Sequence, residues 1–138
     1  MNKIWLNNIK AYVNTPSSLN LPRATIKQIH FYNPKINQIY VLEKLPQYRP
    51  YWLFLNADDK AQVNWLINAV ANYPNPKVIL TGGSIKSISK KLQIPIYFDQ
   101  SGVITKKLNI KQVPAIVIRE NNQLKITELV IKENGDVV

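Results

Sequence analysis

A proline stands at the mouth of a run that reads as the inside of a sheet. Ala115-Ile116-Val117-Ile118 is small and β-branched throughout, the composition of a strand buried on both faces. Proline has no N–H to give to a ladder, so it is confined to edges, bulges or a strand's first residue. Val113-Pro114 must therefore open this strand, and whatever lies opposite the bond has to tolerate an interrupted ladder.

The chain upstream supplies a sheet for that strand to join. Tyr51-Trp52-Leu53-Phe54-Leu55 is a continuous apolar strand, and Asn56-Ala57-Asp58-Asp59 follows with polar capping residues and acids where a helix dipole favours them. Val63, Leu66, Ile67 and Val70 recur at helical spacing, and Pro74 and Pro76 stop the helix. Val78-Ile79-Leu80 is a second strand, Gly82-Gly83 a turn, and Ser84 caps a short helix through Leu92 that turns Ile85, Ile88 and Leu92 inward. Pro95-Ile96-Tyr97-Phe98 is extended. A brief helix then carries Val103, Leu108 and Ile110, with Asn109 suited to a left-handed cap. Residues 115–119 and 124–129 form a hairpin about Asn121-Asn122. Strand, helix, strand, then a helix leading to an antiparallel hairpin, predicts an α/β, thioredoxin-like mixed sheet flanked by helices. Trp52 and Trp65 belong to its core.

Residues 1–50 differ in texture. They hold five of the nine prolines, and Trp5, Ile9, Tyr12 and Val13 share one helical face that ends before Thr15-Pro16. Beyond it no period is sustained, yet aliphatic and aromatic residues are too frequent for a disordered segment. The expected organisation is an amino-terminal helix and docking arm over 1–50, a thioredoxin-like domain over 51–131 and a flexible tail over 132–138. Trp5, with little chain nearby to cover it, is a candidate interface anchor.

Composition narrows the chemistry. The chain has no cysteine, which removes disulfides, thiolate catalysis and thiolate metal sites. No apolar run approaches the roughly 20 residues that span a bilayer, and MNKIWLNNIK lacks the apolar core of a signal peptide. The net charge is +10, and residues 77–111 carry seven lysines against one acid. Such a surface attracts acidic proteins, anionic membrane or nucleic acid. Few of the basic residues are arginine, the usual reader of base edges. A basic nucleic-acid-binding protein is the alternative functional reading.

Three blocks resemble the carboxy-terminal domain of the TraW family, assembly proteins of F-type conjugative type IV secretion systems: FLNADDKAQVNWL (54–66), KVILTGGS (77–84) and PIYFDQSGVITKKLNIKQVPAIV (95–117). The last block is also similar to the segment before the cis-proline strand of thioredoxins, with Asn109 in place of a common glycine. The resemblance continues into Phe31-Tyr32-Asn33-Pro34 and covers about residues 20–130. It implies a periplasmic, non-enzymatic subunit needed for pilus assembly through protein–protein contacts. Its partners would be a TrbC-like thioredoxin-fold subunit and other conjugation proteins, with no cofactor and no small-molecule substrate.

The resemblance also implies where a site would lie. In redox-active thioredoxins a pair of cysteines begins the helix after a central strand, and the cis-proline loop lies against it. Here that place reads Asn56-Ala57-Asp58-Asp59, so disulfide exchange has no attacking thiolate. A cis Val113-Pro114 bond is expected. The groove between Asn56, Ala57, Asp58 and Asp59 on one side and Val113 and Pro114 on the other is expected to dock an extended peptide, this chain's own arm or a partner's. The competing reading is that Pro114 only fixes the fold.

Other constellations read as structural. Asp58 and Asp59 are helix-start acids rather than a catalytic pair. Asp99 is a turn former, Gly82-Gly83-Ser84 a plain turn rather than an anion cradle, and His30 lacks companions for metal ligation. No catalytic residue, cofactor site or metal site is assigned.

Overall fold

The apolar runs at 51–55 and 78–80 become the middle of a six-stranded sheet. The structure, a computed structural model, describes residues 21–138; Trp5 and the expected amino-terminal helix lie outside them. Among the described residues the elements are β1 (Gln28–Tyr32), β2 (Lys35–Ile36), β3 (Ile39–Tyr40), β4 (Tyr51–Asn56), α1 (Lys60–Ala69), β5 (Lys77–Gly82), α2 (Ile85–Lys91), β6 (Ile96–Phe98), α3 (Val103–Lys107), β7 (Ala115–Glu120) and β8 (Gln123–Glu128). The sheet runs β1-β8-β7-β4-β5-β6. β5 is parallel to β4 and β6, whereas β7 is antiparallel to both β4 and β8, and β8 to β1. This is a mixed α/β sheet flanked by helices, and its order is compatible with a thioredoxin-like arrangement.

Burial follows the strand order. Leu53, Phe54, Leu55, Val78, Ile79 and Leu80 are all fully buried, as expected of central strands covered on both faces. Trp52 and Trp65 join the same core, with Leu66, Ile104, Leu108, Ile110, Val113, Ala115, Val117, Leu124 and Ile126. The inward face of α1 differs from the expected stripe. Ala61, Gln62, Trp65, Leu66 and Ala69 are buried, while Ile67 is 44% exposed. Two alanines allow the helix to lie close to the sheet, and Gln62 turns inward because two hydrogen bonds satisfy its amide.

The arm is part of the sheet. β1 pairs along its length with β8, from Gln28 opposite Glu128 to Tyr32 opposite Leu124. His30 and Tyr32 are half-buried on one face, while Ile29 and Phe31 point out from the other. β2 and β3 form a hairpin whose Asn37 and Gln38 both take positive φ, the geometry a two-residue hairpin turn demands. The last residues depart from the frayed tail that was expected. Ile131 bridges to Val137, the Lys132 N–H donates to Asp136 O at 2.8 Å, and Gly135 lies against α1. Polar composition suggested fraying, but this turn satisfies its own backbone groups.

Candidate functional site

The start of α1 is built by a small polar network. β4 shifts register between Leu55 and Asn56, and the Ala57 N–H donates to Gly82 O at 2.9 Å. The Asp58 N–H donates to Asn56 Oδ1 at 3.0 Å. Asp59, with extended backbone, is the N-cap: its Oδ1 accepts from the Ala61 N–H at 3.1 Å. Gln62 Nε2 donates to Asp59 Oδ2 at 3.0 Å, and Gln62 Oε1 accepts the Asn56 N–H at 2.9 Å. The Gly82-Gly83 turn presses on this corner. A Cβ on Gly83, whose φ is +90°, would sit 2.7 Å from Ala57 Cβ, and one on Gly82 would sit 2.6 Å from Asn56 Oδ1. The diglycine is thus a close-approach turn.

The second half of the site is Val113-Pro114, a cis peptide bond with both residues buried. Residues of the arm lie against it. The Val113 N–H donates to Pro22 O at 3.1 Å and the Ala24 N–H donates to Val113 O at 2.9 Å, a parallel bridge centred on Arg23. Gln112 extends the contact: its Oε1 accepts the Thr25 N–H at 3.0 Å and its Nε2 donates to Ile26 O at 2.9 Å. Gln112 is itself held by Glu128 Oε1 at 2.9 Å, while Glu128 Oε2 accepts the Lys111 N–H at 2.8 Å. Ala24 is 4% exposed, so the arm fits closely here.

Arg23 joins the two halves. Its Nε and Nη2 donate to Asp59 Oδ2 and Oδ1, both at 2.8 Å, the paired geometry in which a planar guanidinium meets a carboxylate. Nη1 turns to the Glu133 carboxylate in the carboxy-terminal turn. The Arg23 hydrogen bond holds the Asp59 carboxyl below the usual carboxylate range, and the two carboxylates raise the already high basicity of Arg23.

Of the six residues named from the sequence, the structure brings Asp59 and Val113 together on Arg23. Pro114 is turned to the fold, its carbonyl accepting the Leu129 N–H at 2.9 Å. Asn56 positions Gln62 and Asp58, Ala57 packs on Gly83, and Asp58 is exposed. Trp5 lies outside the described residues. Sequence reasoning missed Arg23, Gln62, Gln112 and Glu128. The one available signal was an arginine between proline and alanine in an otherwise unpatterned arm.

The remaining candidates are absorbed by structure. Asp99 is buried and accepts from the N–H groups of Ile104 and Thr105 at 2.8 and 3.0 Å and from Thr105 Oγ1 at 2.8 Å, tying α3 to the end of β6. Burial pushes its carboxyl up, against those three bonds. His30 is half-buried, with Nε2 2.8 Å from the Leu108 carbonyl.

No family model and no solved structure matches the chain. Protein TraW of Escherichia coli strain K12 is 45% identical over 64 residues, a match that covers 46% of this chain and 30% of that protein. The shared segment is therefore a part of each: over those 64 residues the chain is similar to TraW, and it spans about a third of that protein's length.

Proposed function

We propose that the chain is a non-enzymatic interaction subunit of an F-type conjugative type IV secretion system, acting in pilus assembly from the periplasm. The observation that carries this reading is the 45% identity to TraW. Chemistry at the helix start supports the non-enzymatic part. The chain has no thiol to place there, and Asp59 is occupied by an N-cap bond and an ion pair. The partners in this reading are a TrbC-like thioredoxin-fold subunit and other components of the conjugation apparatus. The lysine-rich surface would face acidic proteins or the membrane surface.

Affinity purification from the native envelope tests it. Recovery of TrbC-like and pilus-assembly subunits is the expected result. Recovery of nucleic acid alone, with an affinity that weakens steeply as salt is raised, would replace this reading with a phosphate-binding one. The purified chain is expected to show no insulin-reducing activity.

A further inference from the structure

We propose that the slot made by Asp59, Glu133, Gln112 and the Val113 backbone is a receptor for an extended, arginine-bearing segment of a partner protein, and that residues 21–26 are its built-in, exchangeable occupant. The contacts divide as peptide recognition by strand addition does. The bonds at Val113 hold the main chain of Pro22 and Ala24, and Gln112 reads the main chain of Thr25 and Ile26. Side chains then select. The Asp59 carboxylate takes a guanidinium fork through two oxygens, and the residue after the arginine must be small, since Ala24 is almost wholly covered.

The receptor side is fixed independently of the arm. Asp59 is oriented by Ala61 and Gln62, and Gln112 by Glu128, which is in turn held by Lys111. None of these bonds uses a residue of 21–26, so the slot has contacts of its own to hold its shape when the occupant leaves. The outer half of the latch is also open to water. The Glu133 side chain is 85% exposed, so that half of the latch adds little net stability, whereas the Asp59 half, 19% exposed and bidentate, carries the selectivity for a guanidinium. Charge agrees. In a chain of net charge +10, Asp58, Asp59 and Glu133 place acids at this one corner, which suits a basic segment.

The proposal rests on reading this fold as a binding surface, but its test uses the purified chain alone, so its failure leaves the envelope experiment untouched. A fluorescent peptide of residues 20–27 is titrated against the full chain and its variants by polarisation. The Arg23→Ala chain, whose own arm competes poorly, should bind the peptide at least tenfold more tightly than the wild-type chain. Adding Asp59→Asn to Arg23→Ala should reverse the gain, and a peptide carrying alanine in place of its arginine should not bind. An Arg23→Ala chain with wild-type circular dichroism that ignores millimolar peptide overturns the proposal. Should that variant fail to fold, hydrogen exchange on the wild-type chain decides. Millimolar peptide must speed exchange of the Ala24 amide, and unchanged protection there refutes displacement. A wild-type chain that sediments as an arm-exchanged dimer, dissociated by the peptide, would give the slot to a second copy and overturn its assignment to a partner.

Discussion

Replacing Arg119 by alanine should release two loops at once. Arg119 lies near the end of β7, and its guanidinium donates in five directions. Nε reaches Asn121 O at 2.6 Å, Nη1 reaches Leu45 O and Tyr48 O, and Nη2 reaches Leu42 O at 2.9 Å and Asn122 Oδ1 at 2.7 Å. Three of these acceptors are carbonyls of the irregular stretch between β3 and β4. The other two belong to the β7–β8 turn. One side chain thus holds two loops that share no strand. A hydrogen bond to a charged group is worth about 1.5–3 kcal/mol when buried, and water replaces the exposed ones at little loss. Counting the bonds to Leu42 and Tyr48 near the low end and the others at a few tenths each gives about 3–4 kcal/mol. For a chain of this length that is a fall in melting temperature of roughly 10–15 °C. Lysine keeps the charge but not the planar fork, so Arg119→Lys should recover less than half of the loss. Urea unfolding followed by tryptophan fluorescence measures both variants, with an unchanged m-value expected. An alanine variant within 0.5 kcal/mol of wild type, or a lysine variant equal to it, would refute the clamp.

Other perturbations test other parts. Gly135→Ala puts a side chain at φ +94° with its Cβ 2.5 Å from the Trp65 nitrogen. It should cost about 1–3 kcal/mol and open cleavage by trypsin after Lys132; unchanged digestion would count against the packed turn. Asp59 has a folded-state pKa below its ordinary value, so its contribution is fully present above the ordinary carboxylate range and is lost as pH falls through the depressed value. The melting-temperature gap between wild type and Asp59→Asn should therefore stay constant from pH 7 to about 5 and close only in stronger acid; a gap that closes near neutrality contradicts the pairing with Arg23. Asp99→Asn keeps one oxygen to accept but turns an amide NH2 toward the N–H of either Ile104 or Thr105, which bond different oxygens of the carboxylate, and should cost about 1–3 kcal/mol, read as a lowered urea midpoint.

The middle of the fold was legible because its signals are local. The apolar run at 51–55 and the 78–80 strand lie in β4 and β5, Ser84 caps α2 through the Ser87 N–H, and Asn109 takes the left-handed φ that its position suggested. Pro114 precedes β7, and the hairpin turns at Asn121-Asn122 as read. The helical stripe of α1 was drawn a position off because hydrophobicity alone favours Val63 and Ile67 over the small Ala61 and the hydrogen-bonded Gln62. β1 escaped notice because its alternation, His30 and Tyr32 inward against Ile29 and Phe31 outward, offers bulky residues on both faces and no polar contrast. The site divides the same way. The helix start and the proline were found from their local patterns. Arg23 was not, because its carboxylate partners lie 36 and 110 residues away, a distance across which no sequence period reports.

The carboxylate that begins α1 has a consequence beyond binding. The single methionine is Met1 and there is no cysteine, so residues 2–138 contain no sulfur. Neither glutathione nor peroxide has a sulfur there to modify. At this corner, where a redox-active relative of the fold would carry thiols, no disulfide can form or be reduced, so its shape does not depend on the thiol–disulfide balance around it.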